Sequence, residues 1–463
     1  METDKAGGFI YNDKINGGRG ATMFNRNRLW YISLVVAAYM IGISNLWKFP
    51  TLVLEYGLGG LLSYILMITL MIPLLATAMV STKNKRYELV EFYNREFNTV
   101  GPAIAFFLFD TILLLYYPIV SGWFLRKLAL AELLSPNVWS VVALLLFFAL
   151  LTITLRKGGN HTMDAMVISL VIAFAALILA SWSLYSRIGT MGTTSVFKDQ
   201  LLHVLSWKGV SLRMLVEMAK QAAYSVGIGM GFYLVLGSFL SEKTSPVKIA
   251  TAGVILDTLA GFTSTLLMVM VISISPSASI QGKAVVISTL PETLAAVGMT
   301  TVLYFLYLAF FFAALSSMIP LGEVVTRVLM ELSRKPLNPR RLPEFREKSV
   351  LLMMSFTLLL GLLMVAVEEY TGLDVISTLD TTVETFILFG AILEVLAVLY
   401  GKDYISRALK IGSYPGIISV LLLGTLAVWG MVTDKSFIPL SILLTVLGLA
   451  LLPGKFWKKH LQA

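Results

Sequence analysis

Cysteine is absent from the 463 residues, which excludes disulfides, thiolate metal sites and cysteine nucleophiles. Histidine is nearly absent: His161, His203 and His460 are scattered and form no metal-ligand spacing. Charge is scarce, with 14% Asp, Glu, Lys and Arg against about a quarter in soluble domains. Also lacking is any linker or composition shift that would divide the chain, although its length alone would suggest about three soluble domains. The first 25 residues are polar with no short apolar core, so no cleavable signal peptide is expected. No nucleophile–base pair stands out, which argues against an intramembrane enzyme.

What is present is hydrocarbon. The chain is 57% hydrophobic with a mean hydropathy of +0.82. Apolar runs of about 20 residues recur from end to end, each long enough to cross a hydrocarbon core of about 30 Å. They fall near 29–56, 59–81, 101–130, 138–155, 163–185, 217–240, 248–275, 300–332, 348–368, 375–400, 413–432 and 437–454. The expectation is an all-α polytopic membrane protein of about 12 transmembrane helices, in a single domain over 1–463 that contacts lipid.

The net charge of +9 raises nucleic acid as a partner, but its distribution excludes it. Basic residues gather at Lys14, Arg19, Arg26 and Arg28, at Lys83–Arg86, and at Arg156–Lys157. They gather again at Lys243–Lys248, Arg334–Lys348, Lys402–Lys410 and Lys455–Lys459. Those are alternate loops plus both termini, and Arg126–Lys127 is the main exception. The positive-inside rule then puts the N- and C-termini in the cytoplasm of a multi-pass cell-membrane protein. Two long polar segments, 186–216 and 276–299, fall on the outer side; the second holds the apolar stretch STLPETLAAVGM, read either as a short helix over the outer mouth or as a surface loop.

Two spans contain signs of breakage. In AYMIGISNLWKFP (38–50), Gly42, Ser44 and Asn45 sit at membrane depth and Pro50 follows. In QAAYSVGIGMGF (221–232), Gly227, Gly229 and Gly231 alternate after Ser225. Irregular backbone at that depth is tolerated only where it is buried in protein or lines a watery cavity. The breaks fall in spans 1 and 6, and such paired interruptions point to a transporter built from inverted repeats. Half-helix N-termini offer free N–H groups to an anion, and freed carbonyls can hold a cation.

The residues themselves carry a resemblance. GISNLWKFP resembles the first-helix signature of the neurotransmitter:sodium symporter family, G-x-G-N-x-W-R-F-P, and QAAYSVGIGMG resembles its sixth helix. FFAALSSMIPLGE (311–323) resembles its eighth helix and YYPIVSGW (116–123) its third. The four motifs cover most of the first 330 residues in the family's order. The resemblance implies two inverted five-helix repeats (29–185 and 217–400) with unwound helices 1 and 6, plus two extra C-terminal helices (413–454). It also implies sodium-driven uptake by alternating access.

The resemblance assigns sites as well. A first sodium ion would use the Met40 carbonyl, Asn45 and Ser225; a second would use Ser316 and Ser317 beside Ala313, with main-chain oxygens of Ala38 and Ile41. Asp257 departs from the pattern. Alternative alignments make it a sodium ligand or a substitute for chloride, so chloride is not expected to be needed. Substrate carboxylate would meet the N–H groups of Ile43 and Ser44 and the hydroxyl of Tyr117, and its amine the carbonyls of Met40, Tyr224 and Ser225. Leu113, Tyr117, Tyr224, Gly227, Met230, Ser317 and Leu321 would line the side-chain pocket, with room left at Gly227. Gly42 stands where amine-transporting relatives carry Asp, so an α-amino acid that brings its own carboxylate is expected, apolar or aromatic.

The outer gate would pair Lys48 with Asp380, and the inner gate Glu331 with Arg26 or Arg28. Glu323 replaces a glutamine, Phe239 a tyrosine, and Ala78 lies near the place of a glutamate in span 2. Asp110, Glu384 and Glu394 are further acids at membrane depth without an assigned role. Two other readings stay open: a proton-coupled amino-acid carrier of the same fold with Asp257 as the proton site, and a non-transporting amino-acid sensor.

Overall fold

The computed structural model describes residues 29–83, 86–128, 136–274, 290–333, 342–373 and 375–400, and single positions 425, 429 and 448. Arg26, Arg28 and the two helices expected over 413–454 lie outside the described residues. Within them the chain is helical, and no strand is present beyond an isolated bridge between Gly57 and Trp207. In lipid, a helix satisfies each backbone group within its own segment, which is why long apolar runs resolve this way. Seven of the described helices are long and apolar enough to cross a membrane.

Span 1 is α1 (Leu29–Met40) followed by the first arm of α2 (Ile43–Lys83). Gly57, at φ 63° and ψ −148°, turns α2 a corner. Residues 43–56 thus complete span 1 and residues 58–83 form span 2. A short α3 (Leu89–Phe97) leads into α4 (Gly101–Leu128), α5 (Pro136–Arg156) and α6 (Gly159–Met191) as spans 3 to 5. Next come α7 (Thr194–Val204), then α8 (Leu212–Val226) and α9 (Phe232–Phe239), the two halves of span 6. Spans 7 and 8 are α10 (Pro246–Ile274) and α12 (Thr300–Leu332), separated by α11 (Leu290–Ala296); α13 (Leu342–Thr371) and α14 (Val375–Tyr400) are spans 9 and 10.

Of the two readings of the 276–299 segment, its second half is a helix: α11 packs on α10 and α12, while 275–289 are not among the described residues. Helix α7, in the stretch read only as polar, is an addition; it is largely exposed apart from Val204, and it packs on α10 and α2.

The broken spans lie in the centre. Helix α1 packs against α10, α6 and α12, while α2 packs against α10, α8 and α9. Outside them, α4 packs on α12, α5 and α14. Thr82 donates to the carbonyl of Leu234 at 2.6 Å, joining span 2 to α9, the second half of span 6. On the other side, Lys208 donates to the carbonyls of Leu54 (2.8 Å) and Glu55 (3.3 Å), and the Leu58 N–H to Ser206 O at 3.0 Å. A cation on the last carbonyls of a helix satisfies groups that have no partner along the chain and suits the negative end of its dipole.

Candidate functional site

The first interruption is local. Helix α1 stops at Met40, Ile41 and Gly42 leave the helix, and α2 restarts at Ile43. The Gly42 N–H turns back to Met40 O at 2.9 Å. The second is longer. Gly227, Gly229 and Gly231 have φ of 64°, 89° and 72°, a region that side chains with a Cβ occupy only at a cost. Both sequence-predicted breaks are therefore real, and each is buried in protein.

Around the first break five oxygen-bearing groups converge. The Asn45 amide donates to Met40 O at 3.3 Å and also to the Asp257 carboxylate. Ser225 Oγ lies 2.8 Å from Asn45 Oδ1 and 2.7 Å from Asp257 Oδ2. Tyr64, from span 2, donates to Asp257 Oδ2 at 3.1 Å. Asn45, Ser225 and Asp257 are 0–1% exposed. Met40, Asn45, Ser225 and Asp257 were all singled out in the sequence, and they stand together. Tyr64 was not; nothing in its apolar surroundings distinguishes it from a packing tyrosine.

The other expected ion ligands are close by. Ser316 bonds its own helix at Ala313 O (3.0 Å), and Ser317 donates to Tyr39 O at 3.2 Å. That second bond brings span 8 to the carbonyl beside Ala38, with Ala38 and Ile41 both buried. A third cluster lies alongside. Tyr117 shares hydrogen bonds with Tyr224 and Ser317, and a Cβ on Gly42 would lie 3.1 Å from Ser317 Oγ and 3.3 Å from the Tyr117 hydroxyl. Gly42, Tyr117, Tyr224 and Ser317 thus assemble, with the N–H groups of Ile43 and Ser44 at the start of α2. Leu113, Met230 and Leu321 are buried in the same core.

One expectation needs correcting. The space left by the missing side chain of Gly227 is filled, because a Cβ there would sit 2.5–2.9 Å from the ring of Tyr39. Tyr39 packs on Phe232 at 4.2 Å between ring centroids and donates to Gly227 O at 2.7 Å. The phenol joins the two breaks, and Gly227 leaves no room for a larger substrate.

Helix α14 backs the second break. A Cβ on Gly390 would lie 2.2 Å from Gly229 O, so backbone meets backbone there. Gly390→Ala is expected to cost about 1–3 kcal/mol by overpacking; a thermal-unfolding midpoint equal to the unsubstituted protein's would show that α14 can step aside freely.

The acids expected at the gates have further hydrogen-bond partners. Asp380 accepts a hydrogen bond from Tyr116 at 3.1 Å, a tyrosine the sequence reading passed over. Glu331 Oε2 accepts the N–H groups of Val90 (2.9 Å) and Glu91 (3.0 Å), capping α3; its expected partners Arg26 and Arg28 are not described. Glu323 is bound by two arginines, Arg346 Nη2 at 2.6 Å and Arg327 Nε at 2.7 Å. Neither arginine was singled out as a partner. Among the described residues no group of three or more His, Cys, Asp and Glu is arranged for a metal.

No family model matches the chain. It is 21% identical over 332 residues to the uncharacterized sodium-dependent transporter YhdH of Bacillus subtilis (strain 168), covering 64% of this chain and 70% of that one. The crystal structure of MhsT in complex with L-phenylalanine superposes with a TM-score of 0.67 and 18% identity, over 94% of this chain and 100% of the other. Both likenesses agree with the resemblance that the four motifs carry. The chain is an all-helical, multi-pass membrane protein with the fold of MhsT.

Proposed function

We propose that the chain is a sodium-coupled symporter of the neurotransmitter:sodium symporter family, carrying an apolar or aromatic α-amino acid by alternating access. The observation that supports this best is the convergence of Met40 O, Asn45, Ser225 and Asp257 beside the hydroxyls of Tyr117 and Ser317. Broken helices in transporters hold cations on freed carbonyls and anionic substrate groups on half-helix N-termini. The likeness to a sodium-dependent transporter and to a protein crystallised with L-phenylalanine supports the same pairing. Two interruptions five spans apart support inverted repeats over 29–185 and 217–400, and the basic residues of alternate loops and both ends support cytoplasmic termini.

In this reading one sodium ion sits at Met40 O, Asn45, Ser225 and Asp257. A second sits among Ala38, Ile41, Ala313, Ser316 and Ser317. The substrate carboxylate lies at the N–H groups of Ile43 and Ser44 and at Tyr117. Because substrate and ion share the first break, each strengthens binding of the other by the same factor. L-Phenylalanine is expected to raise the thermal-unfolding midpoint in NaCl and not in KCl; an equal rise in both salts would discard sodium coupling. Tyr117→Phe should weaken L-phenylalanine binding tenfold or more, since a hydrogen bond to a charged group contributes about 1.5–3 kcal/mol, while sodium affinity without substrate changes little.

Asp257 supplies a fixed negative charge next to the first ion. Transport is therefore expected to proceed undiminished when gluconate replaces chloride, and a requirement for chloride in uptake assays would overturn that part. A proton in place of sodium at Asp257 is the second reading, favoured by the complete burial of the side chain (0% exposed), since a charge kept from water is costly unless it is neutralised. The same comparison of salts separates the two.

A further inference from the structure

Beneath the second break lie two carboxyl groups that the proposed symport leaves unused. Glu394 of α14 is 0% exposed, and its Oε2 accepts the Gly229 N–H at 2.6 Å. The N–H groups of Gly231, Tyr233 and Leu234 face it as well. Its other oxygen has no partner. Asp110 of α4 is also 0% exposed, and neither of its oxygens has a hydrogen-bond partner. Helix α4 lies against the break here: a Cβ on Gly231 would be 3.3 Å from the ring of Phe106, and Asp110 is one helical turn further along the same face. The two acids act on each other electrostatically.

The remaining titratable groups facing this pair are three phenols: Tyr39 of α1, Tyr233 of α9 and Tyr93 of α3. Each has its proton committed elsewhere. Tyr39 donates to Gly227 O (2.7 Å), Tyr93 to Leu393 O (2.7 Å) and Tyr233 to Val226 O. None of them serves Asp110 or the free oxygen of Glu394. No ion pair among the described residues involves either acid. Two like charges buried in protein, with no ion pair to either among the described residues, cannot both persist.

We propose that Asp110 and Glu394 form a proton-binding site, the pair carrying one bound proton under the break in span 6. The three oxygens left without partners, two on Asp110 and one on Glu394, are the ones that can share that proton. The site bridges spans 3 and 10 to the start of α9. With the proton bound, a single negative charge remains, facing the N–H groups at the positive end of that half-helix. Losing the proton would set two bare carboxylates against each other and part α4 from α14.

Infrared spectroscopy of the full-length protein in lipid nanodiscs, without added substrate, tests this. The unsubstituted protein at neutral pH should have a protonated-carboxyl C=O band that persists when K⁺ replaces Na⁺. Asp110→Asn, of equal size, should lose that band, as Glu394 ionises against its N–H donors. Glu394→Gln should shift the band. If Glu394→Gln fails to fold, Asp110→Asn alone decides. Spectra in which Asp110→Asn leaves every carboxyl band in place would overturn the proposal, and so would an assigned band present only when Na⁺ is withheld.

Discussion

Glu323→Ala should lower stability by about 3–5 kcal/mol, the cost of breaking a buried ion pair by removing one partner. The Glu323 side chain is 5% exposed, against 10% for Arg346 and 15% for Arg327. Arg346 holds both carboxylate oxygens, with Nη2 at 2.6 Å and Nη1 at 3.2 Å, and its Nε donates to Leu155 O at 2.8 Å. Arg327 adds its Nε at 2.7 Å while lying 4.4 Å over the Phe239 ring. Thr162 donates weakly, at 3.4 Å. One carboxylate thus binds α12 to α13 and to the corner between α5 and α6. Truncation leaves two guanidinium groups side by side with nothing negative between them. Glu323→Gln keeps the shape and one acceptor, so its loss should be smaller. The thermal-unfolding midpoints of the two variants in detergent measure the difference. If alanine proves no worse than glutamine, the charge of Glu323 is not what holds this corner.

The second large effect concerns the candidate ion site. Asp257→Asn should weaken sodium binding by roughly 100-fold, taking about 2.7 kcal/mol from the range for interactions with charged groups. The substituted amide keeps the volume but loses the charge, and one end presents donors to Asn45 or to Ser225 and Tyr64. Those three already surround the carboxylate as donors, so an amide cannot satisfy all of them. Sodium titration of the L-phenylalanine thermal shift measures the loss. An unchanged midpoint would remove Asp257 from the ligand set and show that its charge does not serve the ion.

The sequence made the broken spans legible because glycine and asparagine in hydrocarbon have few bland explanations. Gly42, Asn45 and the alternating glycines 227, 229 and 231 stood out against Leu, Ile and Val, and all fall at real breaks. Asp257 stood out for the same reason. The aromatic members did not. Tyr64, Tyr39 and Tyr116 are among 18 tyrosines in the chain, and a tyrosine in a span packs its ring whether or not its hydroxyl reaches anything. Their roles depend on which helix lies opposite, and that pairing is tertiary. Gly227 illustrates the limit: a missing side chain reads as empty space until the neighbour that fills it is known.

The pairing of Glu323 was hidden for a related reason. Arg327 is one turn away on the same helix and could be guessed from spacing. Arg346 comes from α13, across residues 334–341, and no local pattern connects it to span 8. Glu331 was legible as an acid at a helix end, but its bonds to Val90 and Glu91 depend on where α3 docks.

The corner at Gly57 has an experimental use. The second arm of span 1 carries Ser44 and Asn45, and its last carbonyls are held by Lys208 while Gly57 bridges to Trp207. Whatever tilts that arm carries residues 206–208 along. Trp207 is 61% exposed, so its indole is a built-in optical reporter: it senses the posture of the arm that carries Asn45 without touching the candidate site.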